Sequence, residues 1–331
     1  MTASIPESHV LLTGGAGFIG SHLVDALLAR PATRVSVLDK LTYAGARENL
    51  AEHEEDSRFS FVHGDVADAD VVASLVAGVD RVVHAAAETH VDRSISGPAP
   101  FLATNVVGTQ VLLEACRTKA TPLLLISTDE VYGANAPGGA PFTEDATLRP
   151  RSPYAASKAS AELLGGAWFS TYGTPVTVVR GTNAFGPRQF PEKVIPVLTL
   201  AAFDGRPLPV YGRGEQQREW LYVTDWVAGA LAVMDRGEPG AAYNIGGGRE
   251  LPNLELARRI CALTGADEGL ITSVADRPGH DFRYGLDNER LEALGWVPQR
   301  SFDDALAETV AWYRDHRGWV DARLAGVGTV A

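Results

Sequence analysis

The chain has 331 residues, of which 45% are hydrophobic and 21% charged, and it carries a net charge of −12 at pH 7. That length is enough to bury a sizeable core, in one large domain or two smaller ones. The acidic balance argues against nonspecific binding to nucleic acid or to an anionic membrane, which needs a basic surface, although a few local Arg or Lys residues would still hold a small anion.

The first half alternates short apolar runs with helical patterns. His9–Thr13 reads as a strand, and Phe18–Arg30 follows as a helix with Ile19, Leu23 and Leu27 on one face. Further strands are predicted over Val35–Asp39, Phe59–Val66, Arg81–Ala87 and Leu123–Thr128, with helices over Val71–Val76 and Ala103–Lys119 between them. Alternation of this kind implies parallel strands joined by helical crossovers, hence a doubly wound α/β sheet of Rossmann type.

Between the first strand and first helix lies TGGAGFIG, with Gly14, Gly17 and Gly20 three apart. A pyrophosphate there would need a tight turn, close backbone approach and helix N-terminal amides. Asp39 ends the second strand, where an acid accepts hydrogen bonds from an adenosine ribose and repels a 2′-phosphate. That favours NAD over NADP, with Lys40 beside it pulling the other way. Asp65 closes the third strand, a position suited to the adenine.

The apolar run Leu123–Ile126 stops on Ser127, Thr128, Asp129 and Glu130, and two adjacent carboxyls at the end of a buried strand would be costly without a role. Ser152 and Pro153 open a helix that runs over Tyr154–Tyr172 and stops at Gly173. Tyr154 and Lys158 lie one turn apart on it, and an ammonium near a phenol favours the phenolate. Val176–Arg180 is a sixth strand. Beyond about residue 185 the pattern loosens into Pro- and Gly-rich connections, with helices predicted over Thr224–Arg236, Asn253–Thr264 and Phe302–His316, the last capped by Ser301. The expected division is a dinucleotide-binding domain over 1–185, to which some later segments return, and a smaller mixed α/β substrate-binding region over 186–331. Cys116 and Cys261 sit in separate apolar stretches and read as buried free thiols. With no basic-then-apolar leader pattern and no apolar run long enough for a membrane span, a cytoplasmic location is expected.

TGGAGFIG, the strand-end Asp39 and the set Thr128, Tyr154, Lys158 together resemble an extended short-chain dehydrogenase/reductase. Within that superfamily the chain resembles the nucleoside-diphosphate-glucose 4,6-dehydratases, the dTDP-glucose enzymes above all. The segments that carry this are LDKLTYAG, AAETHVDRSI, STDEVYG, YAASK, FPEKVIP, LPVYG, REWLYVTD, YNIGG and DRPGHDFRY. The resemblance implies conversion of dTDP-glucose to dTDP-4-keto-6-deoxyglucose, with NAD as cofactor. It assigns Tyr154, Lys158 and Thr128 to oxidation at C4, Glu130 to the base at C5 and Asp129 to the acid at C6. It places Gly14, Gly17, Phe18, Ile19, Gly20, Asp39, Lys40, Thr42, Asp65, Val66, Ala85, Ala87 and Thr104, with Tyr154 and Lys158, around the cofactor. Thr89, Thr128, Asn183, Glu192, Lys193, Pro209, Tyr211, Arg218, Asn253, Arg277 and His280 would meet the nucleotide sugar. A homodimer through the helices beginning near Phe101 and Ser152 is expected on the same ground.

One stretch departs from the dTDP-glucose pattern. Asn183-Ala-Phe-Gly-Pro-Arg188 stands where N-N-Y-G-P-Y is common, and looks closer to UDP-glucose 4,6-dehydratases. Another nucleotide, a related nucleotide-sugar epimerase, or a catalytically silent NAD-binding protein are the alternatives. Arg188 is read either as a phosphate contact or as a solvated loop residue.

Overall fold

A computed structural model describes residues 8–276 and 281–325. Seven parallel strands form the central sheet: β1 (Ser8–Thr13), β2 (Thr33–Asp39), β3 (Phe59–His63), β4 (Arg81–His84), β5 (Leu123–Thr128), β6 (Val176–Gly181) and, after three strands that lie elsewhere, β10 (Ala242–Ile245). Their spatial order is β3-β2-β1-β4-β5-β6-β10. Order reverses between β1 and β4, the position at which open α/β sheets leave a crevice beyond the carboxyl ends of their strands.

Neighbouring residues of a strand face opposite sides, and here both sides are covered. Leu12 and Val37 join the core beneath α1 (Phe18–Leu28) and α8 (Val223–Arg236), with Trp226 fully enclosed. Leu11 and Leu38 join the opposite core, under α2 (Ala69–Val76), α5 (Thr109–Arg117) and α6 (Pro153–Tyr172). Continuous apolar runs in these strands are what burial on both faces requires.

The predicted caps are present: Ser152 Oγ accepts from the Ala155 amide, and Gly173 ends α6 in the left-handed region at φ 71°. The third and fourth strands stop earlier than expected, at His63 and His84. Residues 64–66 and 85–87 leave the sheet to line the crevice. The expected helix 103–119 is α4 (Ala99–Phe101), a widened π-helical stretch over Leu102–Gly108, and α5 in succession. Inside the wide turn, Asn105 accepts from the Glu88 amide and donates to the Glu88 carbonyl and Ser157 Oγ. A short helix, α3 (Val91–Ser96), precedes it.

The later chain builds a second layer. β7 (Asn183–Phe185), β9 (Gln217–Tyr222) and β11 (Arg249–Pro252) make one sheet, while β8 (Leu208–Tyr211) pairs with β12 (Ile271–Val274). Around them pack α7 (Val194–Phe203), α9 (Asn253–Thr264) and α11 (Phe302–Asp315), enclosing Phe185, Leu198, Trp220 and Ile260. A short α10 (Glu289–Glu292) and α12 (Arg317–Ala325) are the remaining described α-helices. From α12, Trp319 donates to Asn49 Oδ1 at 3.0 Å and Arg323 pairs with Glu48 at 3.1 Å, tying this helix to the segment after β2. Among the described residues no helix is long and apolar enough to cross a membrane.

Candidate active site

One cavity of about 540 Å³ runs from the glycine turn, past the end of β5, to β8 and α9. Its first part is built by close packing. Gly14 has φ 74°, and a Cβ there would stand 2.6 Å from the Ala86 backbone; at Gly20 it would stand 2.0 Å from the Gly14 carbonyl oxygen. Gly17, the N-cap of α1, offers no side-chain cap, so the first-turn amides keep their capacity for an anion. A Cβ at Gly17 would approach only the Gly14 carbonyl oxygen, at 3.4 Å.

Asp39 is buried beside this turn. It accepts from the Ala16 amide at 2.9 Å and the Leu41 amide at 2.8 Å, while burial pushes its pKa above the ordinary value. Lys40 pairs with Asp65 at 2.5 Å. Phe18, Ile19, Thr42, Val66, Ala85, Ala87 and Thr104 all line the same end of the cavity. The uncapped amides, the bare Gly17 and the strand-end acid fit a dinucleotide pyrophosphate and ribose.

At the centre, Thr128 ends β5 and its Oγ1 caps the short helical turn Asp129–Tyr132, accepting from the Glu130 amide at 3.3 Å and donating to Asp129 Oδ1 at 3.1 Å. Asp129 is only 2% exposed, and its Oδ2 has no hydrogen-bond partner. Burial, reinforced by the Glu130 and Glu219 charges, pushes its pKa up to about 8. A carboxyl so placed holds its proton at neutral pH. Tyr154 is buried within hydrogen-bonding reach of Thr128. Burial and the Glu130 charge raise its pKa well above the usual phenol value, and the Thr128 bond opposes them. In these surroundings desolvation therefore outweighs the lowering expected from sequence. Lys158 lies behind the cavity wall, with its pKa brought down to about 8 by burial against the pull of Glu162.

The far end gathers Thr89, Asn183, Glu192, Lys193, Pro209, Tyr211 and Asn253. Glu192 Oε2 and Asn253 Oδ1 are buried acceptors without hydrogen-bond partners, as Asp129 Oδ2 is. Arg218 is not in this wall: it donates to the carbonyls of Gln217, Asp281 and Phe282 and lies over the Tyr284 ring. Arg277 and His280 lie outside the described residues. Tyr43, Glu88, His90 and Arg93 were not singled out by sequence, although AAETHVDRSI and LDKLTYAG contain them. A charged side chain beside a motif gives no hint of direction until the loop is folded.

The departure at 183–188 turns out to be largely internal. Phe185 is a core residue against Trp220, Tyr222 and Phe302, and only Ala184 of the changed positions reaches the cavity. Arg188, at φ 66°, is not among the residues lining the cavity: it pairs with Asp25 of α1 and donates to the Asn49 carbonyl at 3.0 Å.

The family model described as GDP-mannose 4,6 dehydratase matches residues 11–309. A dTDP-glucose 4,6-dehydratase of Streptomyces niveus is 50% identical over 317 residues, covering 94% of each chain. The dTDP-glucose 4,6-dehydratase 1 of Escherichia coli K12 is 46% identical over 342 residues, again 94% of each. Among solved structures, the DesIV dTDP-glucose 4,6-dehydratase of Streptomyces venezuelae, with NAD bound, superposes with a TM-score of 0.93 at 48% identity, covering 95% of this chain and 99% of that one. A UDP-glucose 4-epimerase of Thermotoga maritima follows at 0.86 and 32%, covering 93% and 99%. The chain belongs to the nucleotide-sugar 4,6-dehydratase family of extended short-chain dehydrogenases/reductases.

Proposed function

We propose that the chain converts dTDP-glucose to dTDP-4-keto-6-deoxyglucose, as an NAD-dependent hydro-lyase of deoxysugar biosynthesis. The observation that carries this is the buried, proton-holding Asp129 next to Glu130 in the same cavity as Thr128 and Tyr154. A 4-epimerase has no step that uses two carboxyls, whereas a dehydratase must remove one proton and supply another.

When bound, NAD⁺ supplies the hydride acceptor for C4 and, once reduced, the hydride donor for C6. The glycine turn, the α1 amides and Asp39 would hold it, and Lys40, engaged by Asp65, leaves Asp39 to select a free ribose over a 2′-phosphate. To take the proton of the 4-hydroxyl, Tyr154 must enter the step as the phenolate, which the positive charges of Lys158 and of bound NAD⁺ would favour against its burial, with Thr128 hydrogen-bonded to the same oxygen. Oxidation at C4 acidifies the C5 hydrogen, which Glu130 removes as a proton and would give back to C5 when hydride reaches C6. Asp129 gives its proton to the departing 6-hydroxyl, so the elimination releases one water and leaves no net charge on the sugar. Unspent acceptors on Glu192 and Asn253, with the Lys193 ammonium, suit sugar hydroxyls, the base and diphosphate respectively.

We infer a cofactor part over 1–185, to which β10 and α8 return, and a substrate part over 186–331, with Thr89 and Asn183 of the first part reaching the sugar end. A reducing, cytoplasmic setting suits the two buried free thiols. A homodimer through the 102–108 stretch and α6 is supported by their exposed apolar side chains.

The deciding experiment offers dTDP-, UDP-, CDP- and GDP-glucose side by side to the purified protein and follows product mass. Loss of one water from dTDP-glucose, fastest of the four and without added NAD⁺, is expected. An isomer of unchanged mass, or no product from any of them, would overturn the reading.

A further inference from the structure

Two loops serve opposite ends of the cavity, and one side chain joins them. Lys40, Thr42 and Gly45, after β2, line the cofactor end; Phe190, Glu192 and Lys193, before α7, line the sugar end. Tyr43 donates its hydroxyl to Glu192 Oε1 at 3.0 Å, and its ring meets Phe190 edge-on at 5.3 Å. The Arg93 guanidinium lies over the Tyr43 ring, 3.8 Å from its centroid. Arg93 and His90 also stand 3.9 Å and 3.7 Å from Glu192 Oε2, which has no hydrogen-bond partner. The glutamate thus has one oxygen committed to the cofactor loop and another still able to accept from a ligand.

The cofactor loop needs such support. It begins at Leu41 with φ 52°, a left-handed conformation that a leucine adopts unfavourably, so its shape depends on contacts made elsewhere. The contact across to Glu192 joins residues 43 and 192, so the loop whose Thr42, Ala44 and Gly45 line the cavity is tied to a carboxylate that lines it too.

We propose that Tyr43 is a latch through which occupation of the sugar site slows loss of the dinucleotide. The inference rests on reading the cavity as a joint NAD and nucleotide-sugar site. A sugar hydroxyl donating to Glu192 Oε2 orders the carboxylate and so strengthens the hold of Oε1 on Tyr43. The loop over the cofactor then opens less often. Coupling of this kind is reciprocal: whatever factor the sugar nucleotide imposes on cofactor affinity, the cofactor imposes on the sugar nucleotide. In a reaction that returns its cofactor each turnover, the latch protects the reduced form during the interval in which it is needed.

The test uses purified holoenzyme and follows release of NAD⁺ after rapid gel filtration, with and without dTDP-4-deoxy-4-fluoroglucose, which keeps the other sugar hydroxyls and has no 4-hydroxyl to oxidise. In the wild type, this probe is expected to slow release by about tenfold. Tyr43→Phe keeps the ring contacts to Phe190 and Arg93 and removes only the hydroxyl. It is expected to speed release about tenfold and to lose most of the effect of the probe. Unchanged release overturns the proposal. So does faster release that the probe still slows as in wild type, because that is what a merely structural tyrosine would give. Absence of any effect of the probe on the wild type also overturns it. Failure of the dehydratase reading would show separately, as no product from dTDP-glucose in the same preparation.

Discussion

At the scale of single residues, the two neighbouring carboxyls at the end of β5 are made different by their surroundings. Asp129 is enclosed and protonated up to about pH 8, whereas Glu130 is only half-buried. Glu130→Gln keeps the shape of the site and removes the base, so C4 oxidation should proceed while water loss falls by roughly 10²–10⁴-fold. An absorbance of reduced nicotinamide that builds without a dehydrated product is the expected signature. Normal dehydration by this variant would remove Glu130 from the mechanism. Asp129 makes a second prediction, in stability. Its folded pKa lies above its unfolded value near 3.8, so it contributes fully below that value. The contribution is lost progressively as pH rises towards about 8, because the unfolded chain releases the proton first. Asp129→Asn should therefore be more stable than wild type at pH 7, by about 2 kcal/mol, and equal to it near pH 4, while losing most activity. Chemical denaturation at the two pH values reads this directly. Greater wild-type stability at pH 7 would show that Asp129 is ionised in the fold.

At the scale of elements, the catalytic helix is fastened from behind by charge. Glu162, one turn beyond Lys158, pairs with Arg180 of β6 at 2.8 Å and also accepts from Ser127. Arg180 in turn donates to Tyr132 Oη and the Glu144 carbonyl, so α6, β6 and the turn bearing Asp129 and Glu130 share one buried network. Removing one partner strands the other, and Glu162→Ala should cost about 3–5 kcal/mol in urea denaturation. Replacing both by apolar residues should recover much of that, and if it does not, packing rather than charge holds the helix. Neither Glu162 nor Arg180 was legible in the sequence, since a carboxylate on a helix and an arginine closing a strand are common surface features. What was legible was local: alternating elements in the first half, the Ser152 and Gly173 caps, and the glycine turn each follow from neighbouring residues. The misses have physical causes. VIPVLTLAAF of α7 is apolar all round because it is buried among α9, α11 and β8, so it has no helical stripe to read. The strands QREWLY and RELP alternate poorly because their polar side chains find partners inside: Glu219 accepts from the Gly248 and Leu286 amides, Arg218 donates to carbonyls and Glu250 pairs with Arg283. The wide turn at Leu102–Gly108 depends on Asn105 reaching Glu88, a contact between separate segments. In the candidate site, the residues that line the cavity were recognised by motif, while those that join its two ends, such as Tyr43 and Arg93, emerge only when residues far apart in sequence meet.

At the scale of the whole molecule, α6 and the neighbouring 102–108 stretch carry exposed apolar side chains. On α6, Leu163 is 68% exposed, Tyr172 55% and Phe169 37%; on the neighbouring 102–108 stretch, Leu102 is 53% exposed and Val107 49%. Isolated apolar side chains on a surface need no explanation; Phe169 and Tyr172 lie roughly a third to half a turn round α6 from Leu163, so the candidate for burial is Leu163 with Leu102 and Val107 of the adjacent stretch. In the proposed homodimer a twofold axis would lay each pair of segments against the same pair. With a net charge of −12 on each copy, apolar contact must outweigh mutual repulsion. Leu163→Glu places a carboxylate at the most exposed apolar position of that face and costs an isolated chain little, because a solvated helix position accepts Glu well. Sedimentation equilibrium should give a dimer for the wild type and a shift of at least tenfold towards monomer for the variant, with thermal stability falling as protein is diluted in the first case only. The active-site cavity lies at the strand ends, away from this substitution, so retained turnover in the monomeric variant would show that one chain carries a complete site. Loss of turnover together with the dimer would mean that α6 holds Tyr154 and Lys158 in place only when its outer face is covered.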